Sequence, residues 1–209
     1  MKILLLSATQ FEIAPFLQTI HQPIDVLIGG VGIASTTFRL TNKLSHQHYD
    51  LVIQAGIAGM FPVLDNNNAL ALSDVFAVHQ DAFGDLGAYE NRVFKSVQDM
   101  NLENNIEWLH NPHWMLHKLP YKKVTAVTVN TITDDTELIN AIQKKWQATI
   151  ESMEGAALHY VCGQKQIPFI QLRAISNIVG DRNKANWTIK EAIENLNVSI
   201  AESINIVSQ

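Results

Sequence analysis

A single cysteine, Cys162, stands among the 209 residues, so no disulfide can close within the chain. A reducing, cytoplasmic setting is expected, and Cys162 reads as a small core residue of an apolar helix. Charge is also sparse. Lys, Arg, Asp and Glu make up 17 % of the chain, the formal net charge is −5, and no basic cluster occurs. Nucleic acid is therefore not an expected partner. No apolar run is long enough to span a bilayer, and no membrane partner is expected. The opening Met1-Lys2-Ile3-Leu4-Leu5-Leu6 could begin a signal peptide, but Gln10 and Glu12 interrupt it, so a first strand is expected instead. Gly30 and Gly32 are followed by Ser35 where a third glycine would be needed, which argues against a dinucleotide site. His110, His113 and His117 are broken up by Pro112 and Trp114, so no metal is expected there, and no cofactor elsewhere.

What remains is an apolar, globular composition, with 47 % hydrophobic residues, long enough for one domain over 1–209 with a sizeable core. Strand patterns are expected at 2–7, 24–28, 51–55, 74–79, 125–129, 149–153 and 169–175. Helical patterns are expected at 11–20, 34–44, 137–146, 154–163 and 189–207. In the last of these, Ala192, Ile193, Leu196, Ile200, Ile204 and Val207 recur at three- and four-residue steps. Asp65-Asn66-Asn67-Asn68 reads as a turn, Gly56-Ile57-Ala58-Gly59 as a loop, and 81–120 as a long excursion with little regular structure. The alternation of strands and helices predicts an α/β fold with a mixed, mostly parallel central sheet.

Ligands bind at strand ends in such sheets. Glu154 stands where a strand ends and an Ala/Leu/Val helix begins. The following strand carries Arg173 within it and delivers Ser176 and Asn177 at its end. An ordinary core would not place a carboxylate and a guanidinium at those positions. Glu12, on the opening turn of the first helix, reads from the sequence alone as an acid favoured by the helix dipole.

Met153-Glu154-Gly155-Ala156 and Arg173-Ala174-Ile175-Ser176-Asn177 resemble the hallmarks of the nucleoside phosphorylase/nucleosidase superfamily, and of its methylthioadenosine/S-adenosylhomocysteine nucleosidases in particular. Asn177 departs from the pattern, which has Asp. The resemblance implies a three-layer sandwich. It makes Glu12 the general base that takes a proton from water, and Glu154, beside Met153 and Gly155, the holder of the ribose hydroxyls. Arg173 reads as a structural ion-pair partner, and the resemblance makes it an orienter of Glu12 or the water, two roles that are compatible. In adenine-releasing relatives the Asp protonates N7 of the base. The amide of Asn177 can instead donate to N7 or to a 6-oxo group, pointing to a hypoxanthine-type leaving base.

Gln54-Ala55-Gly56-Ile57-Ala58-Gly59 matches a loop that binds phosphate in the phosphorylases through a Ser and a nearby Arg. Here Ile57 replaces the Ser and Gln54 stands near the Arg position, so water is the expected nucleophile, with Gly56, Ile57, Ala58 and Gly59 still lining the ribose. Thr131 and Ile132 fall in the segment that flanks the purine in relatives, with Trp187 as a further stacking candidate.

Phe83–Ala88, Val127–Thr131 and Ser176–Arg182 narrow the resemblance to the futalosine hydrolase family of the menaquinone pathway. The implied reaction is futalosine plus water giving hypoxanthine and dehypoxanthine futalosine. Arg39, Arg92, Arg182 and the histidines of 110–117 are candidates for meeting the benzoate of the substrate's 5′ arm. An adenine-releasing methylthioadenosine or aminodeoxyfutalosine nucleosidase, a purine nucleoside phosphorylase and a non-catalytic nucleoside sensor remain as alternatives. The resemblance also implies a homo-oligomer, most simply a dimer, with Trp108, Trp114, Met115 and Leu116 as the expected contact.

Overall fold

The computed structural model describes residues 1–20, 23–62, 70–103 and 107–209. The turn expected at 65–68 lies outside them. In chain order the elements are β1 (Ile3–Ser7), α1 (Gln10–Thr19), β2 (Asp25–Ile28), α2 (Ile33–His46), β3 (Leu51–Met60), β4 (Val75–Phe83), β5 (Gly87–Glu90), β6 (Val93–Ser96), β7 (Leu109–His110), α3 (Met115–Lys118), β8 (Lys123–Thr128), α4 (Thr136–Trp146), β9 (Ile150–Ser152), α5 (Gly155–Lys165), β10 (Phe169–Ile178), a 3₁₀ turn at Lys184–Asn186, and α6 (Ile189–Val207).

The apolar strands β1, β3 and β10 are buried on both faces, as parallel strands covered by helices must be. Ile3, Leu5, Ile53, Ile170 and Leu172 pack on one side against α1 and α6, through Ile13, Phe16, Leu196 and Ile200. Leu4, Leu6, Val52 and Phe169 pack on the other side against α2 and α5, through Leu40, Leu44, Leu158 and Val161. The result is three layers, helix on sheet on helix. Helix α5 is apolar nearly all round and correspondingly buried from Gly155 to His159.

The sheet is mixed. β1–β2, β1–β3, β3–β10, β4–β8 and β8–β9 are parallel, while β4–β10, β3–β9 and β4–β7 are antiparallel. β3 pairs with β10 from Val52 to Met60, and on its other edge first with β1 and then, at its end, with β9. That second partner closes β3, β10, β4, β8 and β9 into a ring, from which β1 and β2 extend.

Two expectations are corrected. The Gly56–Gly59 segment is not a loop: β3 runs through it to Met60. The 81–120 region is more regular than expected. β4 extends to Phe83, β5 and β6 form a hairpin, and β7 and α3 follow. The hairpin turns on Asn91 and Arg92, both with positive φ (51° and 64°), the twist-matched geometry of a two-residue β-hairpin. Helix α4 seats Ile139, Ile142 and Trp146 against Phe94, Val127 and Ala82. Among the described residues no helix is long and apolar enough to cross a membrane.

Candidate active site

A cavity of about 330 Å³ opens at the C-terminal ends of β1, β3, β9 and β10, a size suited to a small-molecule ligand. Glu12, Ile57, Ala58, Gly59, Ile132, Met153, Glu154, Ser176 and Asn177 all line it. Four carboxylates face this space, those of Glu12, Glu151, Glu154 and Asp181, against one cation, Arg182.

Glu12 is buried and held on every side. One carboxylate oxygen accepts from the Ser7 hydroxyl (3.2 Å), the Thr9 backbone N–H (3.0 Å) and the Thr9 hydroxyl (2.9 Å). The other accepts from the Ile57 N–H at 3.1 Å. The bond to the Thr9 N–H is one half of a capping box, so the helix-start reading of Glu12 and its place in the cavity are both realised.

Glu154 precedes the first turn of α5. Its Oε1 accepts from the Gly32 N–H (3.1 Å), and its Oε2 lies 3.6 Å from Arg173 Nη1. Burial raises its pKa above the ordinary carboxylate value. Arg173 and the Gly32 N–H oppose that shift, and the nearby Glu12 charge adds to it.

Arg173 is only 1 % exposed and does not line the cavity. It lies beneath, ion-paired to Glu154 and donating to Gln54 Oε1 at 3.0 Å. The ion pair is formed with Glu154, and the guanidinium and the Glu12 carboxylate both approach Gly56. Gly56 also stands behind the cavity wall. A Cβ there would collide with Arg173 Nη1 and lie 3.0 Å from Glu12 Oε1. Its missing side chain is what lets the guanidinium and Glu12 approach the same point of β3. Thr131 is exposed and outside the lining, while its neighbour Ile132 faces in. Gly155 likewise serves the interior and not the ligand side, because a Cβ would strike Gln171 and Asp81.

That interior is polar. The Thr128 hydroxyl donates to Asp81 (3.0 Å) and accepts from the Ala156 N–H (2.7 Å), and the Ser152 hydroxyl accepts from the Gly155 N–H at 3.3 Å. The otherwise unpaired N–H groups at the start of α5 are thus tied to β8 and β9, which fixes Glu154 in place. Burial lifts Asp81 to about 6 against hydrogen bonds from Gln171 and Thr128, and burial pushes His159 down to about 4.

At the other end of the cavity, β10 bulges at Ser176. Ile175 pairs with Ala58 but Asn177 with Gly59, so the extra residue turns the Asn177 side chain to the face of Gly59. The Ser176 hydroxyl donates to Asn177 Oδ1 at 2.8 Å, and Asn177 Nδ2 donates to the Ile178 carbonyl at 2.9 Å. A carbonyl can only accept, which fixes the amide's orientation and leaves its second N–H without a partner among the described residues. Trp187, anchored through Nε1 to the Asp181 carbonyl at 2.9 Å, and Val179 complete this end.

Glu151, absent from the sequence-based candidates, also lines the cavity. Burial, with repulsion from Asp85 second, lifts it to about 7. Of the cations proposed for the 5′ arm, Arg182 alone lines the cavity, over the Trp187 ring. Arg39 donates to the Ile28 carbonyl and Arg92 pairs with Glu137. Among the described residues, no group of three or more His, Cys, Asp and Glu side chains is placed to hold a metal ion.

The phosphorylase superfamily model matches residues 21–209. A futalosine hydrolase from Acidothermus cellulolyticus is 27 % identical over 85 % of this chain and 73 % of its own length. Another, from Thermus thermophilus, is 26 % identical over 92 % of this chain and 91 % of its own. In structure, the chain superposes on a 5′-methylthioadenosine/S-adenosylhomocysteine nucleosidase from Helicobacter pylori with a TM-score of 0.82, covering 98 % of this chain and 97 % of that one, at 16 % identity. That last likeness is one of fold.

Proposed function

The chain belongs to the phosphorylase superfamily, and we propose that within it this protein hydrolyses the N-glycosidic bond of futalosine, releasing hypoxanthine. The observation that carries this reading is the convergence on one cavity of Glu12, Glu154 and the amide donor Asn177.

Glu154 accepts hydrogen bonds from the ribose hydroxyls, and its charge, held by Arg173, supports the oxocarbenium-like transition state. Glu12 takes a proton from the attacking water as the water oxygen bonds to the anomeric carbon. The C–N bond breaks with its electron pair going to the purine, where it delocalises onto O6. The free N–H of Asn177 donates to N7 or O6 and stabilises that charge. Ile132 and Trp187 flank the ring, and Ile57, Ala58 and Gly59 lie along the sugar. Water is the nucleophile because a phosphate dianion would have to settle among carboxylates. The nearest backbone donors, Ile57 N–H and Gly32 N–H, already serve Glu12 and Glu154.

The test is release of hypoxanthine from futalosine by the purified protein in phosphate-free buffer. Preferred release of adenine from methylthioadenosine would overturn the substrate assignment.

A homodimer is also part of the proposal, and the segment expected from sequence offers one exposed apolar side chain for the contact. Leu116 is buried in the core, Met115 packs against it, and Trp108 stacks edge-on against Trp146 at 5.3 Å. Only Trp114 of that group is exposed, with Lys118 over its ring. Among the other apolar side chains open to solvent, Phe11 (67 % exposed) and Val31 (57 %) line the cavity. A second subunit would cover them. Sedimentation at micromolar concentration is expected to give a dimer, and a monomer would defeat this part.

A further inference from the structure

Three glutamates line the cavity, and two of them have partners within the protein. Glu12 takes four hydrogen bonds, and Glu154 has Arg173 and the Gly32 N–H. Glu151 is only 8 % exposed and lines the cavity, and its carboxylate accepts no hydrogen bond from any described side chain or backbone group. A buried carboxylate without a partner is costly, and an apolar residue between β8 and β3 would be the cheaper choice for folding alone. Such groups concentrate where a ligand supplies what the protein leaves out.

The register says where that ligand atom sits. Gly59 pairs with Asn177 on one side and with Glu151 on the other. Residues in register across neighbouring strands share a face, so Asn177, Gly59 and Glu151 form one row. At ordinary strand spacing the outer two are roughly 10 Å apart at Cα. Between them Gly59 contributes no side chain, which lets Val179 and the Asn177 amide close over it and sets a donor at one end of the row and an acceptor at the other.

Resting on the reading of the site as a purine nucleosidase, we propose that Glu151 reads the purine, its carboxylate accepting the N1–H of a 6-oxopurine whose O6 or N7 is met by Asn177. The two residues then select the same tautomer. A 6-oxopurine presents acceptor O6 beside donor N1–H, matching the amide N–H and the carboxylate. A 6-aminopurine presents a donor beside a bare N1, so the carboxylate would face a lone pair and the amide N–H would face another donor. A site built to pair a polar edge discriminates strongly against the edge with the reversed pattern. Burial and the Asp85 charge, which raise the Glu151 carboxyl to about 7, are the cost that a bound N1–H would relieve.

The experiment measures kcat/KM for futalosine and for its 6-amino analogue with the wild-type protein, Glu151→Gln and Glu151→Ala, alongside thermal melting of each. In Glu151→Gln the oxo-to-amino ratio is expected to fall by about ten-fold or more, because the new amide can donate to the bare N1. Glu151→Ala should lose futalosine activity, with the loss mainly in KM, and should not gain on the amino substrate. An equal fall on both substrates in Glu151→Gln, or no fall at all, overturns the inference and assigns Glu151 to structure. If instead the wild-type protein releases no hypoxanthine from futalosine, the functional reading itself fails and takes this inference with it. The two failures are told apart by the wild-type measurement alone.

Discussion

Glu12→Gln is expected to lower kcat for futalosine hydrolysis by about 10²-fold or more while changing KM little. In the proposed mechanism the carboxylate removes a proton from water only as the bond to the anomeric carbon forms, so its contribution belongs to the transition state. An amide of the same shape cannot take that proton. The surroundings make the substitution more than a loss of basicity. One oxygen of Glu12 accepts from the Thr9 N–H and two hydroxyls, and the other from the Ile57 N–H. Hydroxyls can turn to accept from an amide, but backbone N–H groups cannot. The amide nitrogen of the variant must face either Thr9 or Ile57, donor against donor, at about 1–3 kcal/mol of stability. Thermal melting therefore accompanies the kinetics. Near wild-type turnover in a folded variant would rule Glu12 out as the base, and a lost fold would call for Glu12→Asp, which keeps the charge and shortens the reach.

The second large effect is on selectivity. Asn177→Asp should lower kcat/KM on futalosine and move the oxo-to-amino preference by roughly ten-fold or more. The wild-type amide has one N–H on the Ile178 carbonyl and one free for the ligand. A carboxylate at this position would set an oxygen against that carbonyl, acceptor against acceptor, which favours its protonated form. When that single O–H turns from the Ile178 carbonyl to the ligand it supplies the donor a 6-amino purine needs at N7, so the variant should gain on the amino substrate as it loses on futalosine. The Ser176 hydroxyl, which now donates to Asn177 Oδ1 at 2.8 Å, remains able to orient the new group. An unchanged ratio would mean that Asn177 does not touch the purine edge, leaving the substrate to be decided by Glu151 and the walls.

Most of the scaffold was legible because its signals are local. The helical period of 189–207 and the apolar runs of β1 and β10 depend on no partner, and the structure has helix at Ile189–Val207 and strands at Ile3–Ser7 and Phe169–Ile178. The errors arose where a residue's meaning depends on what approaches it. Gly56 and Gly59 look like loop formers. In fact they are strand positions whose bare Cα admits Arg173 and Glu12 in one case and Asn177 and Val179 in the other. The β5–β6 hairpin was missed because Asn91-Arg92 turns it where Asn-Gly is the stronger signal.

The site divided in the same way. Glu154 and Asn177 stand in short motifs at strand ends, whereas Glu12 is singled out only by its position in the family resemblance. Glu151 carries no motif, and between Ile150 and Ser152 it reads as the polar half of an alternating strand. Only the closure of β9 onto β3 turns it inward, and pairing between strands so far apart in sequence cannot be read from one chain. Arg173 was recognised as anomalous in an apolar strand, but its choice of Glu154 over Glu12 is set by the packing around Gly56.

The most direct test of hydrolysis of a 6-oxopurine nucleoside is to incubate the wild-type protein with futalosine at high phosphate and weigh both products by mass spectrometry. Hypoxanthine and an unphosphorylated dehypoxanthine futalosine, formed at a rate that phosphate does not raise, are the expected result. A sugar product heavier by one phosphate, or turnover that requires phosphate, would contradict it.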